Sequence, residues 1–392
     1  MHRRFVVVPI AVLLVACGSE SPGAGSPDGP PHQPGADSPD GPPHHPGACN
    51  SLGDVGVWEN ITPAQVSLDP AFNTPAGDNF GVHSFVIDPL DSSTVYLGTS
   101  AQGIFKTTDC GASWVHVNTG KNGDMLDQGR QWTFVIDPVN PKNLYTNAGY
   151  SPKGGIAWKS TNAGVDWEPF ISADYIKALQ FGNFVHLISL DPTNPSHLIV
   201  TPHFACEVNT VNGLPKTPNC LLETSDAGAT WRILEGTPGA GEGTGHWMAD
   251  SKTWFWAAYF GGLYRTIDGG ASWQQVYNGG YADPGGFSPS PGKWYTGGEF
   301  NVLSSPDGAS WSTVKDAPGA SNVTGDATTV FVSRGSAYFS APVADPSTWT
   351  KLNSPAFAKP DSVKAWGLKY DPEHHVLYSL NSTQGFWRLR TK

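Results

Sequence analysis

One short pattern recurs along this chain. It reads "TTDCGASW" (Thr107–Trp114), "STNAGVDW" (Ser160–Trp167), "TSDAGATW" (Thr224–Trp231), "TIDGGASW" (Thr266–Trp273) and "SSPDGASW" (Ser304–Trp311). The common frame is Ser/Thr-x-Asp-x-Gly-x-Ser/Thr-Trp, from which Asn162 and Pro306 depart. Each position has a physical reason. The Asp or Asn oxygen accepts from nearby backbone amides and holds a tight turn. The Gly takes a positive φ that other residues resist. The Trp opens a strand and has the bulk to fill the gap between two adjacent sheets.

Composition fits many short strands joined by tight turns. The chain has 46 Gly, 34 Pro and 15 Trp among 392 residues, with only 15% charged, which argues against a helical bundle. Its formal net charge is -11 and it has no basic run, which excludes a nucleic-acid backbone as partner.

The five repeats resemble the Asp-box, or BNR, repeat. That repeat builds the β-propellers of sialidases, xyloglucan-degrading endoglucanases, sortilin-type receptors and photosystem II assembly factors. The resemblance covers residues 55–390, roughly, and implies architecture rather than activity, because those families use one scaffold differently.

The residues themselves give the blade count. Each box is followed by Trp-x-x-apolar: Trp114/Val117, Trp167/Phe170, Trp231/Leu234, Trp273/Val276 and Trp311/Val314. A sixth, Trp349/Leu352, follows a degraded turn in "DPSTWTKL". A seventh, Trp58/Ile61, stands alone at the start. The terminal "GFWRLRTK" resembles a strand preceding a box, after which the sequence stops. Pairing the Trp58 strand with it predicts an all-β, single seven-bladed propeller whose last blade is closed by the N-terminal strand. Inner strands end in an apolar-Asp-Pro turn, as in "FVIDP", "LISLDP" and "LKYDP". In this topology the Asp-Pro turns and Asp boxes share one face, and the loops entering the inner strands lie on the other.

Upstream of residue 49 the chain reads differently. His2, Arg3 and Arg4 precede an apolar core, "FVVVPIAVLLV", too short to span a bilayer as a mature helix. It ends in "LVAC", which resembles a bacterial lipobox with Cys17 as the lipidated residue. Residues 1–17 are therefore expected to be a lipoprotein signal peptide, in a bacterial cell-envelope protein held to the membrane only by lipid. Gly18 after the Cys favours the outer membrane over the inner. Residues 18–48 contain the tandem near-copy "SPDGPPHQPGAD" and "SPDGPPHHPGAC" and read as an extended, disordered linker. Residues 49–392 form the propeller. Closure brings the region of Cys49 beside the box of Cys110, so these two are expected to form a clasp. Cys206 and Cys220 flank one insertion and are expected to form a second disulfide in an oxidising compartment.

Function is sought on the face opposite the boxes. The longest loops, "TPAQVSLDPAFNTPAGDNFG", "NTGKNGDMLDQGRQ", "ISADYIKALQFGNFV" and the Cys206–Cys220 insertion, crowd one sector of it. Five residues before each Asp-Pro Asp stand His83, Trp132, His186 and Trp366, with Asp283 the counterpart in blade five and His246 within one residue of the position in blade four. His83, His186, His246, Asp283, Asp78 and Asp174 are the candidate catalytic residues. Trp132, Trp366, Arg130, Tyr175 and His203 are candidates for substrate contact, and Glu207 and Glu242 extend the carboxylate pool. Aromatic faces beside imidazole and carboxyl groups suit sugar stacking and proton transfer; bulky residues plugging a channel give the same pattern. A glycosidase would draw its two carboxyls from this pool. A uronate lyase would use a His or Tyr base with a cation. No tight metal spacing such as His-x-x-x-His is present, so no metal is assigned and the cofactor is unknown. The sialidase resemblance implies an arginine triad and an Arg-Ile-Pro; the tripeptide is absent, and only Arg130 is placed at the rim. The xyloglucan enzymes place substrate between two propellers, and this chain has one. The expectation is a monomer that binds, and with a slight lean cleaves, a polysaccharide or oligosaccharide. The alternative is a non-enzymatic protein-binding or assembly module.

Overall fold

The computed structural model describes residues 49–69, 80–151, 157–171, 184–202, 221–234, 245–258, 262–279, 282–290, 293–298, 301–359 and 366–392. They form seven four-stranded antiparallel sheets arranged as the blades of a propeller. The innermost strands of blades one to seven are Val82–Ile87, Phe134–Ile136, Val185–Leu190, Gly245–Met248, Ala282–Ser290, Asn322–Gly325 and Gly367–Asp371. Blade seven has its outermost strand, Trp58–Asn60, from the other end of the chain.

The apolar core is divided among the gaps between blades, and one Trp of the repeat enters each. Trp114 packs between blades seven and one, Trp167 between one and two, and Trp231 between two and three. Trp273, Trp311, Trp349 and Trp58 continue the series to the gap between six and seven. The repeat thus supplies one large aromatic per interface, where burial of apolar area stabilises most.

The boxes act through their hydroxyls and carboxylates. In the first, Thr107 Oγ1 donates to Asp109 Oδ1 (2.6 Å), which also accepts from Ser113 N (2.9 Å). Gly111 N donates back to Thr107 Oγ1 (2.9 Å). Both Cys110 and Gly111 have positive φ, as do Ala227 and Gly228 in the third box. Hydroxyl donors, Thr230 and Ser272 foremost, hold the Asp226 and Asp268 carboxyls down to about 2. The fifth box differs from the frame. It is shortened by one residue, so Ser305 Oγ accepts from Gly308 N (2.8 Å) and Asp307 supplies the carboxylate. Pro306 therefore replaces no ligand of the turn.

Three of the boxes are tied to the Asp-Pro turns of their own blades. Cys110 N donates to Ser93 O (2.9 Å), Ala163 N to Lys142 O (3.0 Å) and Ala227 N to Ser196 O (2.8 Å). Asp88, Asp137, Asp191 and Asp371 cap their turns by accepting from the backbone amide two residues on. Boxes and Asp-Pro turns therefore share one face, leaving the other to the entrances of the inner strands.

Closure is held three ways. Trp58, Glu59 and Asn60 pair antiparallel with Leu389, Arg388 and Trp387. Cys49 and Cys110 are disulfide-bonded, with Cα atoms 5.3 Å apart. Arg388, only 4% exposed, joins all the pieces: Nε donates to Glu59 Oε2 (2.8 Å), Nη1 to Cys110 O (2.7 Å) and Nη2 to Ser51 O (2.7 Å). Cys206 and Cys220 lie outside the described residues.

A buried charge network joins blades three and four. His197 contacts Asp191 Oδ2 through Nδ1 (3.0 Å) and Glu223 Oε1 through Nε2 (2.8 Å). Ser251 of blade four bonds Asp191, and Arg232 pairs with Glu223. Burial alone would lower the His197 pKa, but the two carboxylates outweigh it and raise it.

Two outcomes follow for stability. Arg388→Ala leaves two carbonyls without their donor and Glu59 Oε2 with the Gly53 amide in place of its cation, and should lower the unfolding free energy by about 3 kcal/mol in urea; Arg388→Lys should restore only part, lacking the fork. Because the folded His197 pKa is raised, its stabilisation is complete below the unfolded value of about 6.5 and fades as pH rises through the folded one. His197→Gln should therefore lower the urea midpoint more at pH 6 than at pH 9.

Candidate functional site

The upper mouth is built where the inner strands begin. In blade one the register jumps across His83: Val82 pairs with Thr99, and Ser84 with Gly98. In blade three it jumps across His186: Val185 pairs with Pro202, and Leu187 with Thr201. Blade five has a wider irregularity between Ala282 and Gly286, spanning Asp283. A bulge breaks the strict alternation of side chains and re-aims the residue it carries. Alternate blades thus use bulges at the same level of the ring.

The re-aimed histidines meet the tryptophans of the neighbouring blades. Trp132 and Trp366 stack with centroids 5.1 Å apart and 21° between planes. His83 contacts both edge-on, at 4.8 and 4.7 Å. His186 meets Trp132 edge-on at 5.7 Å. His83 is 2% exposed, whereas Trp132, His186 and Trp366 are half-buried. The four candidates form one aromatic floor, with His83 beneath and three partly open rings.

Two further aromatic residues adjoin the floor, Phe184, which is fully buried, and Tyr150. Phe184 lies 6.3 Å from His186 and 4.8 Å from Tyr150. Arg130 places its guanidinium 4.9 Å from the Tyr150 ring centre, a cation–π contact. Backbone bridges from Arg130 to Ser100 and Gly149 fix it between the hairpins of blades one and two. Tyr150 is 45% exposed and has φ of 56°, a left-handed conformation that a bulky residue rarely takes. Gly149 is required beside it: a Cβ there would fall 2.7 Å from Trp132 Cδ1 and 3.0 Å from Phe184 Cε2. Sequence reasoning missed Tyr150 and Phe184. The one signal was the Gly-Tyr pair just after the second strand of blade two, Leu144–Asn147.

His246 does not join the floor. It sits in the gap between blades three and four, 4% exposed. Ser189 Oγ donates to the His246 carbonyl (2.7 Å), so Nδ1–H donates to Ser189 Oγ (2.7 Å) and Nε2 accepts from Thr201 Oγ1 (3.2 Å). Burial, with a smaller push from His186, pulls its pKa down to about 3. Being one residue off the ring position is enough to turn it into the interface. Asp78, Asp174, Tyr175, His203, Glu207 and Glu242 lie outside the described residues, and for Asp283 only the strand is described. Lys369, three residues along the strand from Trp366, sets Nζ 5.4 Å from the Phe85 ring centre, and burial lowers its pKa to about 8.

No family model matches the chain. It is similar to the xyloglucanase Xgh74A of Acetivibrio thermocellus, with 23% identity over 212 residues, 48% of this chain and 24% of that protein. A Paenibacillus xyloglucanase is 24% identical over 262 residues, again 24% of its length. The chain thus spans about a quarter of the curated relatives it matches. Among solved structures, the Niastella koreensis GH74 enzyme superposes with TM-score 0.59 and 16% identity, over 84% of this chain and 53% of that one. YCF48 bound to D1 peptide superposes with TM-score 0.58 and 12% identity, over 88% and 99%. These superpositions establish the shared propeller fold.

The hydrogen bonding of His246 sets its titration. Nitrogen-15 NMR of the imidazoles should find it neutral, with the proton on Nδ1, from pH 5 upward. An imidazolium at pH 5.5 would contradict the bonding described.

Proposed function

We propose that this protein is an exported glycan-binding propeller that takes a polysaccharide chain across its upper mouth. The observation that carries the reading is the partly open floor of Trp132, His186 and Trp366, continued outward through Phe184 to Tyr150 and Arg130. Pyranose rings present C–H faces that pack on such surfaces, and the polar edge of the half-buried His186 imidazole fixes their orientation, while Arg130, 4% exposed, supports Tyr150. Similarity to xyloglucanases makes a plant-type β-glucan such as xyloglucan the first candidate ligand.

Cleavage requires two carboxyls straddling the bond, one protonated and one ionised. Asp78 and Asp174, from two long loops of the same sector, and Asp283, at the bulge in blade five, are the residues proposed to supply them. His83 and His186 position the floor, and His186 is the group proposed to exchange a proton with bound sugar. Cys17 carries the lipid, and residues 18–48 hold the propeller off the outer membrane.

A second reading has a specific observation behind it. The chain is one propeller and spans nearly the whole of YCF48, which was seen with a peptide. An envelope protein or peptide would then occupy the same mouth.

Calorimetric titration against soluble polysaccharides, xyloglucan included, separates the two. The expected result is binding to at least one glycan, weakened about 10-fold by Tyr150→Ala, equivalent to ~1.4 kcal/mol. Asp78→Asn and Asp174→Asn should retain binding and lose any release of reducing sugar. Binding of no glycan, together with capture of an envelope peptide, would replace this reading with the second.

A further inference from the structure

The clasp that closes the ring contains more than a disulfide. Ligating atoms of Cys49, Cys110 and His374 all lie within 4.8 Å of one another. A tetrahedral zinc site, with Zn–S of about 2.3 Å and Zn–N of about 2.0 Å, sets its ligand atoms roughly 3.5–3.8 Å apart. Reduction of the disulfide lets the two sulfurs separate toward that spacing, and a His374 nitrogen already lies within 4.8 Å of both.

The surroundings are those of a held ligand. His374 Nδ1 lies 2.8 Å from Asp371 Oδ2 and 3.1 Å from Ser92 Oγ. Asp371 is fully buried. A carboxylate on one imidazole nitrogen fixes the tautomer and leaves the other nitrogen, here Nε2, available to a metal. Glu373 stands beside them, accepting from Ser92 Oγ (2.8 Å), and its carboxylate falls in the same ligand cluster as Asp371 and His374. Arg388 bonds the carbonyl of Cys110, bringing a buried positive charge to the residue that must become a thiolate.

We propose that, with the disulfide reduced, Cys49, Cys110 and His374 bind one zinc ion, with Glu373 or water in the fourth position. The chain is made with thiols, so the site exists before oxidation. It is regenerated when an external dithiol gives up two electrons and two protons: the S–S bond breaks, Cys49 and Cys110 become thiols, and the dithiol becomes a disulfide. Zinc then forms two Zn–S bonds and releases the two thiol protons to solvent. The ring is thereby closed in both redox states, by a covalent bond in one and by a metal in the other.

The test uses the full-length chain carrying Cys17→Ser, Cys206→Ser and Cys220→Ser, so that Cys49 and Cys110 are its sole thiols. Zinc is titrated against a chromophoric chelator, before and after phosphine reduction. The reduced chain should bind one zinc at least about 100-fold more tightly than the oxidised chain. His374→Ala should weaken that binding at least about 10-fold. Cobalt(II) in place of zinc should give a thiolate-to-cobalt charge-transfer band and tetrahedral d–d bands, a readout independent of any variant. The Tm of oxidised His374→Ala reports whether that variant folds. Equal zinc affinity in the two redox states would overturn the proposal, as would cobalt binding without the charge-transfer band, or a folded His374→Ala with undiminished affinity.

Discussion

The pairing of Trp58–Asn60 with Phe386–Arg390 is the contact on which the rest of the molecule depends. A propeller is a ring of sheets, each of which covers the apolar face of the next. Opening it at one seam exposes the edge of blade seven and removes Trp58 from the gap it fills. Arg388 lies at the centre of that seam. Its three nitrogens reach the returning strand, the first blade and the N-terminal segment, an arrangement that a lysine's single ammonium cannot reproduce.

The candidate site crosses the same seam. Trp366 belongs to blade seven, and His83 and Trp132 to blades one and two. Their stacking places the two ends of the ring in register at the upper mouth, so closure below and the aromatic floor above constrain each other. The boxes contribute by fixing the opposite face. Their carboxylates are spent on turn amides and hydroxyls, which leaves them no chemistry to offer.

The architecture was legible in the sequence because it rests on one residue type per blade. Seven Trp-x-x-apolar units, one of them displaced to the N-terminus, were enough to count the blades and to place Cys49 near Cys110. The floor was legible by counting back from Asp-Pro, since His83, Trp132, His186 and Trp366 share one offset. The backbone detail was not. A bulge leaves no mark in composition: the one-residue offset of His246 was visible, but not that His186 sits at a bulge while His246 stays in the regular ladder and turns into an interface. The left-handed backbone of Tyr150 was equally silent, as was the shortening of the fifth box, where Asp307 takes the part expected one position earlier.

The central claim is that a glycan lies across the upper mouth. A crystal structure of the protein soaked with a xyloglucan oligosaccharide tests it most directly. The account predicts sugar rings packed against Trp366, Trp132 and Tyr150, with hydroxyls toward His186. Sugar bound only at the face carrying the repeated turns, or an empty mouth at saturating oligosaccharide, would contradict it.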